Sequence, residues 1–151
     1  MPGKAKGHRL RHGRCSEAGR IYLITAVCAD RRPRFRSFAE GRCFVHAIRQ
    51  VEHQAATLCY VVMPDHVHWL MQLAEGQDLS KNVQKVKSLT TRRLRAKGAA
   101  AGPIWQPGFH DRALRREDDL RDVARYVVAN PLRAGIVRSL REYPLWDAAW
   151  L

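Results

Sequence analysis

The sequence predicts an α+β fold: a ferredoxin-like split βαβ sandwich with a central antiparallel sheet and a C-terminal helix that carries a tyrosine. Three observations predict it. Two β-branched and aromatic runs, TLCYVVM (Thr57 to Met63) and HVHWLMQL (His66 to Leu73), are separated only by Pro64-Asp65, a dipeptide suited to a tight turn. They form a central hairpin. Segments with helical apolar spacing lie on either side of it, each long enough to serve as a crossover. The resulting order of strand, helix, strand, strand, helix, strand and helix is that of a split βαβ sandwich. A chain of 151 residues can bury one such core without staples, and no internal repeat divides it.

The elements follow in order. Residues 1–18 carry Lys4, Lys6, Arg9, Arg11 and Arg14 against a single acid, Glu17, with no periodicity. They read as a flexible basic arm, which leaves 19–151 as one domain. RIYLITAVC (Arg20 to Cys28) is a strand, and DRRPRFR after it a basic turn. From Phe38 to Gln54, Phe44, Ile48 and Val51 recur at helical spacing. After the hairpin, Leu79, Val83, Val86 and Leu94 define the apolar stripe of a helix from Leu79 to Lys97, whose other positions include Lys81, Lys85, Lys87, Arg92, Arg93 and Arg95. KGAAAGP breaks that helix. IWQPGFHDRAL (Ile104 to Leu114) is a short strand or loop. Glu117, Asp118 and Asp119 then open a helix favourably for its dipole. It runs to about Asn130, where Pro131 starts another short helix, PLRAGIV.

Lys and Arg number 27 against 14 Asp and Glu, a formal charge of +13. An excess this large in a small domain points to a polyanion, with a merely solvated basic surface as the plain alternative. The phosphate-tracking candidates are Arg9, Arg11 and Arg14 in the arm and Lys81, Lys85, Lys87, Arg92 and Arg93 on the basic helix. Trp105 and Phe109 either stack unpaired bases or close the core. His110 either contacts phosphate, or relays a proton, or is an ordinary loop histidine. The four cysteines are widely spaced and read as reduced, structural thiols. No apolar h-region follows the basic N-terminus and no apolar run approaches a membrane span, so a cytoplasmic protein with no membrane partner is expected.

The chemistry concentrates in MPDHVHWL (Met63 to Leu70). Successive strand side chains alternate faces, so His66 and His68 point the same way, roughly 7 Å apart at Cα. Both rings can lean onto one ion at about 2 Å. The alternative is a pair of core histidines bonded to backbone or water, although two adjacent imidazoles crowd each other unless something is shared between them. A second group lies in DVARYVVANPLRAGIV. On a helix Tyr126 and Asn130 stack on one face, with Asp122 and Asp119 continuing it backward and Leu120, Val123 and Val127 as the neighbouring apolar stripe. Tyr126 is either a reactive phenol or a packing residue, and Asn130 before Pro131 also suits an N-cap.

Taken together, YVVMPDHVHWLMQL, IWQPGFHDRAL and RYVVANPLRAGIV resemble, in order and spacing, the single-tyrosine HUH transposases, most closely the REP-associated tyrosine transposases of bacteria. The resemblance runs from about Gly19 to Trp146. The His-hydrophobic-His signature falls on His66, Val67 and His68, and the motif Y-x-x-x-N-P-x-R-A on Tyr126, Asn130, Pro131, Arg133 and Ala134. It implies a divalent metal, Mg²⁺ or Mn²⁺, held by His66, His68 and a third polar ligand one turn after the tyrosine. That ligand is Asn130, with Asp122 as the alternative. Tyr126 is then the nucleophile of single-stranded DNA cleavage and strand transfer on REP-like hairpins, through a 5′-phosphotyrosine intermediate. Tyr22 and Tyr60 sit within apolar strands and Tyr143 precedes Pro144, which leaves Tyr126 as the better nucleophile. Related enzymes act as monomers or as homodimers. The rivals are a non-catalytic RRM-like module for single-stranded nucleic acid and a metal-dependent phosphoesterase that uses water.

Overall fold

The computed structural model describes residues 19–115 and 117–148, so the expected arm, with Arg9, Arg11 and Arg14, lies outside the described residues. The chain runs β1 (Ile21–Val27), α1 (Phe38–Gln50), β2 (Ala55–Val62), β3 (His66–Leu73), α2 (Leu79–Ala96), β4 (His110–Ala113), α3 (Glu117–Val128), α4 (Asn130–Arg133) and β5 (Trp146–Ala148). The sheet order is β4-β1-β3-β2-β5. Every pairing is antiparallel. β3 is thus inserted between β1 and β2, and β4 returns beside β1, which is the expected split βαβ arrangement.

Local chemistry explains the element ends. Ser37 and Glu40 form a reciprocal capping box that starts α1. The Asp78 carboxylate accepts from the Lys81 amide and starts α2. α1 ends at Gln50 rather than Gln54 because residues 51–54 turn back into β2. β5 is absent from the sequence expectation: three residues give too little periodicity to read. It is placed by its approach. The Val62 amide donates to the Leu145 carbonyl at 2.8 Å. Gly41 on α1 leaves room for Leu145, whose Cδ1 would lie 2.3 Å from a Cβ at that position.

The two faces of the sheet are covered differently. Tyr22, Ile24, Val67, Trp69 and Met71 pack with Phe44 and Ile48 of α1 and Val83, Val86 and Leu94 of α2. On the other face Cys59, Val61 and Leu70 pack with Leu120, Val123, Ala124 and Val127 of α3. Cys28, Cys43 and Cys59 are buried and unpaired, as expected of structural thiols. Burial pushes the Cys28 thiol up to about 11 and that of Cys59 up to about 12. No helix among the described residues is long and apolar enough to cross a membrane.

The structure corrects one expectation and decides another, for the basic helix and the loop after it. Lys87 is not on the solvated face: it is 7% exposed, and its ammonium donates to the carbonyls of Gln106 at 3.0 Å and Gly108 at 2.8 Å. Trp105 is likewise buried, its indole donating to the Lys87 carbonyl at 3.1 Å and its ring 5.7 Å from that of Phe35. Of its two readings, the core one is observed. The physical reason is that residues 104–108 lie largely outside any strand, so some of their carbonyls need donors from elsewhere, and Lys87 flanks the buried stripe of α2. Replacing Lys87 with Met keeps the stem but orphans those carbonyls, and should lower stability by about 2 kcal/mol in urea unfolding. Lys85→Met, at an exposed position of the same helix, should change it by less than about 0.5 kcal/mol.

Candidate active site

The antiparallel register brings the polar residues of the sheet into one row. Thr25 pairs with His68 on one side and with His110 on the other, while Val27 pairs with His66. Paired residues share a face, so His66, His68, Thr25 and His110 all lie on the side that α3 covers. A small cleft lined by Thr25, Val27, Gln106, Phe109 and His110 lies between β1 and the segment that leads into β4. His110 is two strand spacings from His68, about 10 Å.

Both imidazoles are oriented through Nδ1. His66 Nδ1 donates to Asp65 Oδ1 at 2.8 Å, and Asp65 is held in turn by Arg31, 2.8 Å from its other oxygen. His68 Nδ1 lies 2.8 Å from the Thr25 hydroxyl. The ring centroids are 4.9 Å apart and the planes nearly perpendicular. With Nδ1 engaged on each ring, both Nε2 atoms are left for a shared partner, an arrangement typical of metal-binding histidines. Burial, followed by the charges of His66 and Arg133, lowers His68 to about 4. It is therefore a neutral imidazole near pH 7, the state a ligand requires. At Asp65 burial acts to raise the carboxyl, but hydrogen bonds and charge from His66 and Arg31 outweigh it and hold it below its ordinary range.

Asp65 is fixed by the loop beside it. Asp30 and Arg31 both take left-handed backbone, with φ of 55° and 52°, an uncommon conformation outside glycine. Two backbone bonds dock this loop on the hairpin turn, Cys28 N to Asp65 O at 2.9 Å and Phe35 N to Pro64 O at 3.0 Å. The sequence reading missed Asp65, Arg31 and Thr25. For Thr25 a signal exists, since it is the one hydroxyl in the otherwise apolar run of β1 after Tyr22. For Arg31 none does, because its partner is 34 residues away.

Tyr126 stands on α3 with 60% of its surface exposed. The other three tyrosines are buried or engaged: Tyr22 and Tyr60 lie in the core, and the Tyr143 hydroxyl donates to the Val62 carbonyl. The Arg133 guanidinium lies over the Tyr126 ring, 3.7 Å from its centroid. The charge of Arg133 is also among those that lower His68. Asn130 is the first residue of α4 and not its cap, a position taken by Ala129 without a side-chain bond. The capping role considered for Asn130 is thus not observed. Among the described residues no group of three or more His, Cys, Asp or Glu could hold a metal ion, so Asp122, exposed on α3, does not complete one with His66 and His68. The side chain of Asp119 lies outside the described residues. Lys81, Lys85, Arg92 and Arg93 are exposed on α2, across the sheet from the histidines.

Comparison with known proteins is consistent with this geometry. The family model described as "Transposase IS200 like" matches residues 20–130. A protein of Escherichia coli K12 named REP-associated tyrosine transposase is 33% identical over 129 residues, covering 83% of this chain and 74% of its own. One from Haemophilus influenzae, given that name provisionally, is 30% identical over 139 residues, covering 83% of this chain and 78% of its own. A solved structure of a REP-associated tyrosine transposase bound to a REP hairpin superposes with a TM-score of 0.73 at 28% identity, over 87% of this chain and 78% of that one.

The role of Thr25 is open to test. Thr25→Val keeps the strand and the shape but removes the oxygen at His68 Nδ1. It should weaken Mn²⁺ binding, followed by electron paramagnetic resonance, by about 10- to 100-fold. Thr25→Ser should retain most of the affinity.

Proposed function

The chain belongs to the IS200-like transposase family, and on that footing we propose that it cleaves single-stranded DNA beside a REP-like hairpin and transfers the strand through a tyrosyl ester on Tyr126. The observation that carries this reading is that α3, which covers the sheet face holding two histidines whose Nε2 atoms have no partner among the described residues, also carries an exposed phenol with Arg133 over its ring. A binding module needs neither feature, and a water-using phosphoesterase does not need the phenol.

The chemistry follows from these residues. Tyr126 Oη attacks phosphorus, the P–O3′ bond breaks, and the upstream strand leaves with a 3′-OH. The downstream 5′ phosphate stays on the tyrosine. Because the ester conserves the energy of the broken phosphodiester, another 3′-OH can reverse the step and join a different strand. Bound between His66 and His68, with the Asn130 amide oxygen as third ligand, Mg²⁺ or Mn²⁺ would polarise the scissile phosphate as a Lewis acid. The donor set fits such an ion: two imidazoles oriented through Nδ1 and a side-chain amide that makes no cap bond. Two histidines tilt the preference toward Mn²⁺. His110, across Thr25 from His68, is assigned to the flanking phosphate.

The hairpin is taken from the solved relative, which is bound to one. Affinity for it is assigned to the exposed cations Lys81, Lys85, Arg92 and Arg93, with Arg9, Arg11 and Arg14 of the expected arm. Phosphate contacts position a strand without reading it. Neutralising Lys81 and Lys85 to Gln should therefore weaken binding equally for hairpins of different sequence. It should also reduce the slope of log affinity against log salt by about 1.4 to 1.8, while cleavage at saturating DNA is unchanged. A shift in sequence preference would make α2 a reader instead.

The chemistry itself is tested by trapping. The protein is incubated with end-labelled single-stranded hairpin DNA and Mn²⁺, denatured in detergent and resolved by size. Label on the downstream fragment should migrate with the protein, and label on the upstream fragment should not. Tyr126→Phe should lose the adduct and keep hairpin affinity, and His66→Ala or His68→Ala should do the same. Cutting without an adduct would instead favour water as nucleophile.

A further inference from the structure

We infer that Arg133 is the phosphate clamp of this site: its guanidinium, held face-on against the Tyr126 ring, takes the non-bridging oxygens of the phosphate that Tyr126 attacks. The inference rests on the tyrosyl-transfer reading above and adds a residue to which that reading gives no chemical task.

Three observations carry it. The first is the stacking, at 3.7 Å from cation to ring centroid. It uses the π faces of both groups, so the five N–H donors around the edge of the guanidinium remain directed outward in its plane. Stacking on the tyrosine and bidentate pairing with a phosphate therefore do not compete. The second is the lack of any other occupation. Arg133 is exposed, and no hydrogen bond or ion pair among the described residues engages it. Arg31, by comparison, is committed to Asp65, and Arg95 to the Gly102 carbonyl. The third is location. A guanidinium against the Tyr126 ring lies beside the phenol oxygen that attacks, where the scissile phosphate must come.

Helix geometry explains how it gets there. Tyr126, Asn130 and Arg133 are at i, i+4 and i+7, one face of a path that is helical through α3 and α4 apart from the single residue Ala129. Helical side chains tilt toward the N-terminus, so the long Arg133 stem runs back over the preceding turn to the tyrosine. Neither group needs to reorganise to receive an anion. A fixed cation beside the attacking oxygen and the scissile phosphate stabilises charge that develops in the transition state.

The test compares wild type, Arg133→Lys and Arg133→Ala in single-turnover cleavage of saturating, labelled hairpin DNA with Mn²⁺. Arg133→Ala should slow adduct formation by about 100-fold or more, on the scale of losing one transition-state donor. Hairpin affinity should change by less than about threefold, and the thermal midpoint should be preserved because the side chain is exposed. Arg133→Lys, which keeps the charge without the planar fork, should fall between. Two readouts separate a phosphate contact from a structural role. Guanidinium chloride at millimolar concentration should restore part of the rate to Arg133→Ala and none to Tyr126→Phe. A phosphorothioate of one stereochemistry at the scissile phosphate should slow wild type more than Arg133→Ala. Wild-type rates in Arg133→Ala, or equal sulfur effects in the two proteins, would overturn the inference and leave the tyrosyl-transfer reading intact. No adduct from wild type would remove that reading and the inference with it.

Discussion

The register of β1 against β3 is the constraint on which the candidate site depends. It pairs Thr25 with His68 and Val27 with His66, and through β4 it adds His110 to the same row. A slip of one residue along either strand would carry its set of side chains to the opposite face. The histidines would then point into the layer filled by α1 and α2, and Val67 and Trp69 toward α3. What prevents the slip is the hydrophobic contrast between the faces: Val67, Trp69, Met71 and Leu73 are almost fully buried beneath the two long helices, whereas Gln72 is exposed. The position of the polar groups is therefore enforced by the apolar ones beside them.

A second layer of constraint acts at the hairpin turn. Asp65 serves the backbone and the site together, accepting from the Cys28 amide through its carbonyl and from His66 and Arg31 through its carboxylate. The left-handed backbone at Asp30 and Arg31 is sustained by this docking, since such conformations cost about 1 to 3 kcal/mol each and persist only where surrounding structure over-determines them. Orientation of His66 is thus tied to the folding of a loop well removed in sequence. Orientation of His68 depends on a neighbouring strand instead. The two ligand candidates are independently braced, which favours convergence of their Nε2 atoms before any ion arrives.

The sheet also divides labour. One face carries the tyrosine helix, the histidines and Arg133. The helical layer behind the other face carries Lys81, Lys85, Arg92 and Arg93. Charge that attracts a polyanion at long range need not lie at the reacting phosphate, because an exposed cation acts over about 8 to 10 Å at physiological salt and contributes little geometry. The reacting phosphate needs fixed, short contacts. Arg133 differs from the lysines of α2 in that respect, being held by an aromatic ring rather than by solvent.

Alternation and helical spacing were enough to establish the split βαβ order and the common face of His66 and His68, since each rests on a period within one element. Affiliation with the transposases was legible too, through three short motifs in order. What the sequence alone left open is every contact between elements. Lys87 read as one more surface cation because the carbonyls it satisfies are 19 and 21 residues away. Trp105 stayed ambiguous until the Lys87 carbonyl was placed beside its indole. Thr25 is 43 residues from His68, and Arg31 is 34 from Asp65. β5 is too short to carry a period and exists only because β2 offers it an edge. Local periodicity determines which side of an element a residue occupies. Which partner it meets there is decided only when the sheet sets its register and the helices close over it.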